Sequence, residues 1–253
     1  MMKSIAQIKE ELKTMTPDTA DAFIAAYSED GRSGVQALVV KAAKMKDALA
    51  KELERLEKMR VYEHQYEENY TYICGIDEAG RGPLAGPVVA GAVILPKDKD
   101  ILYVNDSKKL SEKCREELYV QIMEEALAAS VGIVDNEVID DINILQATYE
   151  AMRQAVASLK VAPQALLNDA VIIPGINLPQ EKIIKGDAKS ISIASASIIA
   201  KVTRDHMMDE YDKIYPEYGF AKHKGYGTAQ HVEALRKYGP CPIHRMSFIK
   251  NLI

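Results

Sequence analysis

The sequence predicts an α/β protein in which helices flank a mixed sheet and a helical extension precedes that domain. Two patterns indicate this organisation. Before residue 70, apolar residues recur at intervals of three and four, as in amphipathic helices. After residue 70, short β-branched runs bounded by Gly and Pro alternate with helical segments, as in domains whose helices pack on one sheet. We therefore expect two parts, an N-terminal extension over residues 1–69 and an α/β domain over residues 70–253.

The extension is predicted to be helical. Apolar side chains at helical spacing mark a first helix over residues 5–12. Thr16 followed by Pro17 is a helix-start pattern, since proline is well tolerated at the first helical position. A long amphipathic helix is expected over residues 35–62, and the polar stretch 63–70 has the composition of a linker.

The α/β domain is predicted to begin with two strands. Residues 70–76 and 88–95 are rich in β-branched side chains, and a turn rich in Gly and Pro separates them. Because these strands are close in sequence, we expect them to pair antiparallel. Further strands are predicted at residues 131–134, 165–167 and 183–184, and helices at residues 111–129, 143–160, 191–211 and 229–238.

Composition excludes several classes of protein. Hydrophobic residues make up 47% and charged residues 27% of the 253-residue chain, which excludes disordered and collagen-like chains. No apolar run reaches the ~18 residues of a membrane-spanning helix, and the first residues lack the apolar segment of a signal peptide. The three cysteines, Cys74, Cys114 and Cys241, form no C-x-x-C pair. We therefore expect a cytoplasmic protein in a reducing compartment.

Charge is unevenly distributed along the chain. The formal net charge is −5, which taken alone argues mildly against a nucleic-acid partner. However, residues 181–253 carry 12 basic and 8 acidic side chains, whereas residues 71–180 carry 9 and 16. Such asymmetry fits either a basic surface that faces a partner or chance variation, and charge alone leaves both open.

Four acidic residues follow predicted strands, where carboxylates are costly. Asp77 and Glu78 come directly after the first strand, Asp169 follows Leu166–Asn168, and Asp187 comes shortly after residues 183–184. Each aspartate alone has an ordinary explanation as a turn former or helix cap. Carboxylates brought together repel one another unless a cation joins them, and hard divalent cations prefer oxygen ligands. The four acids together therefore indicate a candidate metal site.

Five motifs in the same order carry a resemblance to a known family. Residues 75–90 contain the two acids and the turn Gly80-Arg81-Gly82, and residues 185–205 contain Asp187 and a run rich in Ser and Ala. Together with residues 105–110, 223–228 and 244–248, they resemble ribonuclease HII. The likeness covers roughly residues 70–250. Type III enzymes carry a different glycine motif after the acidic pair, so this turn favours type II.

The resemblance implies a ribonuclease H-like fold, with a mixed five-stranded sheet, flanking helices and a helical C-terminal part in a catalytic domain over residues 70–253. It implies an endonuclease that cuts the RNA strand of RNA–DNA hybrids and cuts 5′ of single ribonucleotides in duplex DNA. It also implies that Asp77, Glu78, Asp169 and Asp187 bind two Mg²⁺ or Mn²⁺ ions, with Asp77 bridging both. The products would be a 3′-hydroxyl and a 5′-phosphate. We expect a monomer.

Substrate recognition is expected at the glycine turn after the acidic pair and at Tyr226. Glycines on both sides of Arg81, Gly80 and Gly82, let the backbone approach a nucleic acid closely. The resemblance implies that this turn and Tyr226 recognise the RNA–DNA junction, with the tyrosine ring stacked on the following deoxyribose. Without the resemblance, Tyr226 would be interpreted as an exposed aromatic residue in a loop. Lys189 is a candidate phosphate contact.

Other interpretations are kept for testing. None of the five histidines falls in the acidic motifs, which favours a metal mechanism over general acid–base chemistry by histidine. Cys241 and His244 supply only two of the four ligands of a structural zinc site, so zinc is rejected. The alternatives are a non-catalytic nucleic-acid-binding module, a type III-like hybrid nuclease and a 3′ exonuclease with four carboxylates. The role of residues 1–69 stays open between substrate affinity, protein binding and packing onto the catalytic domain.

Overall fold

The computed structural model describes residues 2–97 and 99–252. The chain forms two compact units that meet in sequence between Lys58 and Met59. The first unit contains helices α1 (Ile5–Lys13) and α2 (Pro17–Tyr27) and nearly all of α3 (Ser33–Met59). Its core is apolar and contains Ile8, Leu12, Phe23, Val35 and Ala42. Among the described residues, none of the helices is long and apolar enough to cross a membrane.

The second unit is a sheet with helices on both faces. Its strands lie in the order β3-β2-β1-β4-β5. The pairs β1–β2 and β2–β3 are antiparallel, and the pairs β1–β4 and β4–β5 are parallel, so the sheet is mixed as predicted. The elements are α4 (Val61–Glu67), β1 (Ile73–Ala79), β2 (Val88–Ile94), α5 (Glu112–Glu125), β3 (Ala128–Val134), α6 (Asn136–Ala157), β4 (Ala165–Asp169), β5 (Gln180–Ile183), α7 (Ile191–Ile214), α8 (Phe220–His223), α9 (Ala229–Tyr238) and α10 (Met246–Ile249).

Helix α7 lies close to the sheet because small residues line the contact. A Cβ atom at Gly75 of β1 would overlap the backbone of Ser192, and one at Gly91 of β2 would overlap the carbonyl oxygen of Ala196. The opposite face of the sheet packs against α6 in a core that includes Ile76, Ala151 and Leu166. The run rich in Ser and Ala in α7 therefore brings this helix close to the end of β1, where the acidic residues begin.

The segment predicted as a polar linker is helical. Residues 61–67 form α4, and three tyrosines, Tyr62, Tyr66 and Tyr70, pack at helical spacing against Ile73 and Leu167. The linker prediction was wrong because the burial of these side chains depends on partners far along the chain. Glu63 is also buried, and it accepts hydrogen bonds from residues at the start of α7.

Several other boundaries differ from the prediction. Strand β1 extends to Ala79, so Asp77 and Glu78 lie inside this strand rather than after it, and β5 begins at Gln180. Helix α5 ends at Glu125 rather than near residue 129, and β3 begins at Ala128. Helix α6 begins at Asn136, where the Asp135 side chain accepts from the Val138 amide at 3.0 Å. The prediction started it at Asn143, whose φ of 66° instead marks a kink inside the helix. The helix-start pattern at Asp135 was overlooked.

Candidate active site

Strand pairing brings three of the four predicted carboxylates, Asp77, Glu78 and Asp169, to the same end of the sheet. In the parallel pair β1–β4, Ile76 lies opposite Asn168, so Asp77 and Asp169 follow at the same edge. Asp187 lies in a 3₁₀ turn over Gly186–Ala188, shortly after β5. The amide of Gly186 donates to the Asp169 Oδ1 at 2.7 Å, which ties this turn to the end of β4.

Burial makes these acids electrostatically unusual. Asp77 is only 4% exposed, and burial followed by the neighbouring Glu78 charge raises its pKa well above the ordinary value. The Glu78 amide donates to the Asp77 Oδ1 at 2.7 Å, which partly opposes that shift. Burial also raises the pKa of Glu78, against the attraction of Arg81. The pKa of Asp187 is raised by burial and then by the charge of Asp106. The group therefore concentrates negative charge in a poorly solvated place.

The donor atoms of these residues suit a divalent cation. Their donor atoms are all carboxylate oxygens, which suit a hard cation. The Glu78 Oε2 is buried and has no hydrogen-bond partner among the described residues. Within residues 2–97 and 99–252, no three acidic, His or Cys side chains are already arranged as a metal-binding group. Glu78 instead faces Arg81 at 3.2 Å, and the Lys108 Nζ lies 4.0 Å from Asp187.

A cleft of about 380 Å³ opens beside the carboxylates. Its walls contain Glu78 and the predicted substrate-binding residues Gly80, Arg81, Gly82 and Tyr226. The lining also contains Ala79, two residues of the turn after β2, Ser107 and Lys108, and two residues of α7, Ser197 and Lys201. The cleft therefore joins Glu78 to the glycine turn, whereas Asp77, Asp169 and Asp187 lie outside its lining. The Tyr226 side chain is 46% exposed, and a Cβ atom at Gly82 would lie 3.7 Å from its ring.

The predicted phosphate contact Lys189 lies apart from this lining. It is exposed and follows the turn that carries Asp187, but it is absent from the walls of the cleft. Two other lysines, Lys108 and Lys201, do line it. The charges of Asp77 and Asp187 raise the pKa of Lys108, although partial burial opposes that shift. Lys201 pairs with Asp205 at 2.6 Å.

Two buried arginines support the glycine turn and the loops next to it through hydrogen bonds to backbone carbonyls. Arg245 is fully buried, and it donates to the carbonyl oxygens of Gly86 at 2.9 Å, Arg81 at 3.0 Å and Gly80 at 2.6 Å. Arg204, on α7, is 1% exposed and donates to the carbonyls of residues 85, 87 and 224. The N–H groups of both guanidiniums thus donate to backbone carbonyls, and these hydrogen bonds fix the backbone path of the turn.

The turn also depends on a glycine conformation. Gly80 has a φ of +93°, which side-chain-bearing residues rarely adopt. A Cβ atom at this position would overlap the Arg204 side chain. The sequence analysis attributed the glycine to close approach of the nucleic acid. The structure adds a second reason, which is close approach of the supporting arginine.

The sequence analysis did not identify the supporting role of Arg204 and Arg245. Both lie inside motifs that resemble the family, but their partners are backbone carbonyls, which a sequence does not mark. One signal was available for Arg204. It lies four residues after Ala200 and seven after Ser197, so it shares the buried face of α7. A charged residue on a buried helical face requires partners.

Comparisons with known proteins agree on one family. The family model described as ribonuclease HII matches residues 74–251, and the model described as the ribonuclease HII N-terminal domain matches residues 4–67. Ribonuclease HII of Clostridioides difficile is 56% identical over 99% of both chains, and that of Enterococcus faecalis is 53% identical over 99% of both chains.

A solved structure supports the same conclusion. Ribonuclease H2 from Pyrococcus horikoshii is 30% identical and superposes with a TM-score of 0.60 over 72% of this chain and 96% of its own. The second unit therefore has the ribonuclease H-like fold that the sequence predicted. Enzymes of the ribonuclease H class act on RNA–DNA hybrids and depend on divalent metals. This chain belongs to the ribonuclease HII family and is a metal-dependent endonuclease of the ribonuclease H type.

Proposed function

We propose that this enzyme hydrolyses the RNA strand of RNA–DNA hybrids and cuts duplex DNA on the 5′ side of single ribonucleotides. The products are a 3′-hydroxyl and a 5′-phosphate. One observation supports this proposal above all: a single cleft is lined by the buried acid Glu78, the turn Gly80-Arg81-Gly82 and Tyr226. Such a cleft joins groups suited to phosphodiester chemistry with a backbone that can approach a sugar.

We infer that Asp77, Glu78, Asp169 and Asp187 hold two Mg²⁺ or Mn²⁺ ions. When bound, such ions activate a water and stabilise the attacking and leaving oxygens of a phosphodiester. The chain itself supplies the burial that makes the carboxylates strong ligands. It also supplies the Glu78 amide, which donates to the Asp77 Oδ1 at 2.7 Å and orients that side chain. Lys108 and Lys201 line the cleft and are positioned to attract phosphate.

The glycine turn is proposed to sense the 2′-hydroxyl, the group that locally distinguishes RNA from DNA. Arg245 fixes the carbonyls of Gly80 and Arg81, so the amides and the remaining lone pairs of the turn are held ready for a sugar. Tyr226 presents an exposed ring to the same cleft and is proposed to stack on the deoxyribose that follows the ribonucleotide. Lys189 is kept as a more distant phosphate contact, beyond the walls of the cleft.

We also propose the organisation expected from the sequence: a helical extension over residues 1–69, and a catalytic domain over residues 70–253 that acts as a monomer. The cytoplasm is the proposed site of the reaction. The three cysteines are free thiols, which supports a reducing compartment.

The proposal is tested with end-labelled duplex DNA that holds one ribonucleotide, incubated with the purified protein and Mg²⁺, Mn²⁺ or EDTA. We expect one cut on the 5′ side of the ribonucleotide, abolished by EDTA. Cleavage of a long hybrid without cleavage of this substrate would indicate a type III-like specificity instead. Binding without cleavage of either substrate would favour the non-catalytic module.

A variant separates recognition from chemistry. Tyr226→Ala should reduce cutting at a lone ribonucleotide more than it reduces Mn²⁺ binding, because Tyr226 is not among the four carboxylates. Calorimetric titration with Mn²⁺ and the cleavage assay measure the two effects separately. Equal losses of both would mean that Tyr226 has a structural role.

A further inference from the structure

A buried histidine cluster lies behind the Tyr226 loop, and the proposed chemistry does not use it. His231 and His244 are 0% and 1% exposed, and His223 is 8% exposed. The rings of His223 and His231 are stacked, with centroids 4.5 Å apart. Cys241 lies at the far end of the cluster, with its sulfur 3.1 Å from the His244 Nδ1. The described residues contain no metal-binding group here, so the cluster needs another explanation.

Hydrogen bonds determine which nitrogen of each ring carries the proton. The Cys241 amide donates to the His244 Nδ1 at 2.9 Å, so that nitrogen is an acceptor, although the Cys241 carbonyl lies 3.2 Å away. The His244 Nε2 must then carry the hydrogen, and it donates to the His231 Nε2 at 3.0 Å. The His231 Nδ1 in turn carries a hydrogen and donates to the Tyr226 carbonyl at 2.9 Å. The chain of bonds runs in one direction, from Cys241 to Tyr226.

This chain of hydrogen bonds from Cys241 to Tyr226, here called the histidine relay, requires both rings to be neutral. Burial of the rings favours the neutral form. Burial lowers the pKa of His244 to about 4 and lowers the pKa of His231. Burial also raises the pKa of the Cys241 thiol to about 11, so the sulfur beside the His244 Nδ1 is neutral as well. A second proton on His231 would place two hydrogens between the facing Nε2 atoms. A second proton on His244 would place its Nδ1 hydrogen against the amide hydrogen of Cys241.

The cluster holds both polar backbone groups of Tyr226. The Tyr226 amide donates to the His223 carbonyl at 2.9 Å, and the preceding Gly225 amide donates to the His223 Nδ1 at 3.2 Å. The His223 Nε2 donates to the carbonyl of Tyr218 at 2.9 Å, which fixes the tautomer of that ring as well. Among the described residues, the Tyr226 phenol makes no hydrogen bond and no ring contact, and its side-chain interactions are electrostatic, with Arg204 and Arg245. The hydrogen bonds of its backbone therefore contribute to the direction of the ring.

We propose that His231, oriented by His244, is a positioning residue for Tyr226. The His231 Nδ1–H holds the Tyr226 carbonyl at 2.9 Å, and the Thr228 amide donates to the same oxygen at 2.8 Å. The His231 bond ties this loop turn to the buried cluster and thereby directs the phenol ring toward the cleft beside Gly82. The inference rests on the proposed function for its consequence, which is that the ring meets the substrate sugar. The structural part, a fixed relay of neutral histidines that orders the loop, stands independently and can be measured without substrate.

The first experiment uses the wild-type enzyme and ¹⁵N NMR of its imidazoles. We expect the Nδ1–H tautomer for His231 and the Nε2–H tautomer for His244 at neutral pH. The reverse tautomers, or a charged ring at either position, would overturn the proposal. This measurement needs neither a variant nor activity.

The second experiment compares His231→Leu, which removes both ring nitrogens, with His231→Asn, whose amide can still donate near the position of Nδ1. The control is His206→Leu, because His206 is exposed on α7 and pairs with Glu116. Hydrogen exchange should show lost protection in residues 224–228 for His231→Leu, partial rescue for His231→Asn and no change for the control. Unchanged protection in a folded His231→Leu protein would contradict the proposal.

The third experiment is a double-mutant cycle with cleavage of the single-ribonucleotide duplex. His231→Leu should lower cleavage about 10- to 100-fold, as expected for a misplaced substrate-contacting group, but should have little further effect in a Tyr226→Ala background. Additive losses would overturn the positioning role. If the wild-type enzyme does not cut this substrate at all, the proposed function fails, and the exchange experiment still decides the structural part.

Discussion

The two sides of the cleft are stabilised in opposite ways. On the acidic side, Asp77 and Glu78 are like charges in a buried place, and the Glu78 Oε2 has no hydrogen-bond partner in the described part of the chain. On the loop side, Arg245 and His231 each place their N–H groups on carbonyls of the loops that line the cleft. The acidic side therefore costs folding free energy, whereas the loop side contributes it. The comparison teaches that destabilising carboxylates, proposed to bind ions, can lie next to a rigid backbone frame, proposed to position the substrate.

The largest effect is expected from Asp77→Asn. Losing this proposed metal ligand should lower cleavage by at least about 10³-fold, because the charge stabilisation of the reaction would be removed. The assay is cleavage of the single-ribonucleotide duplex in Mg²⁺ or Mn²⁺. Asp141→Asn is the matched control, since Asp141 is exposed on α6. Activity within tenfold of the wild type would remove Asp77 from the metal site.

Arg245→Met is expected to have a large effect on stability, on the loop side of the cleft. The carbonyls of Gly80, Arg81 and Gly86 would lose their donors, and each buried unsatisfied group costs about 1–3 kcal/mol. We expect a loss of about 3 kcal/mol or more in the free energy of unfolding, measured by urea denaturation, together with a loss of activity. Arg236→Met, at an exposed position of α9, is the control. A variant that keeps its stability but loses activity would show that the loop side contributes no folding free energy.

The pH dependence of stability gives a finer test of the acidic side. Because burial raises the pKa of Asp77 in the folded protein, the folded state holds this proton to a higher pH than the unfolded state does. Its contribution is favourable below the ordinary value of 3.8 and is lost as pH rises through the raised pKa. In EDTA, Asp77→Asn should therefore be more stable than the wild type at pH 8 by about 1–3 kcal/mol. The difference should shrink toward pH 4, and a constant difference would argue against titration as its cause.

The smallest expected effect concerns Glu63 in α4. Its Oε1 accepts from the Ser190 hydroxyl and, at 3.0 Å, from the Ser192 amide, and burial raises its pKa. Stability from this group is present below the ordinary value of 4.5 and declines as pH rises through the raised pKa. Glu63→Gln keeps the acceptor without the charge, so it should gain about 1 kcal/mol at pH 8 and nothing near pH 4.

Thermal unfolding at both pH values measures this gain. Glu124→Gln, at an exposed position of α5, is the control. A loss of stability at pH 8 would mean that the negative charge of Glu63 is required at the start of α7.

The acidic side could be predicted from the sequence, whereas the loop side could not. Asp77 and Asp169 follow apolar runs with the pattern of strands. This pattern predicts that both acids lie near the ends of strands. Tyr226 and the glycine turn could be named only through their resemblance to a family. Arg245 and His231 were missed because their partners are backbone carbonyls more than 100 residues away or in a loop without periodicity.

The same reason explains the linker prediction over residues 63–70. The polarity of Glu63 indicated exposure, but its partners begin 127 residues later in the chain. Local patterns gave the type of most elements correctly, including the pairing of β1 with β2 and the bounds of α9. Burial of a polar side chain by a distant partner carries no local pattern, so it was accessible only in the folded structure.

The most direct test of the account is thermal unfolding of the wild type and Asp77→Asn at pH 8, each with EDTA and with Mn²⁺. A ligand that binds only the folded state raises its stability in proportion to its affinity and concentration. We predict that Asp77→Asn unfolds at a higher temperature than the wild type in EDTA, and that Mn²⁺ stabilises the wild type far more than the variant. A variant that is less stable in EDTA, or that gains as much from Mn²⁺ as the wild type, would contradict the claim that this buried carboxylate trades stability for ion binding.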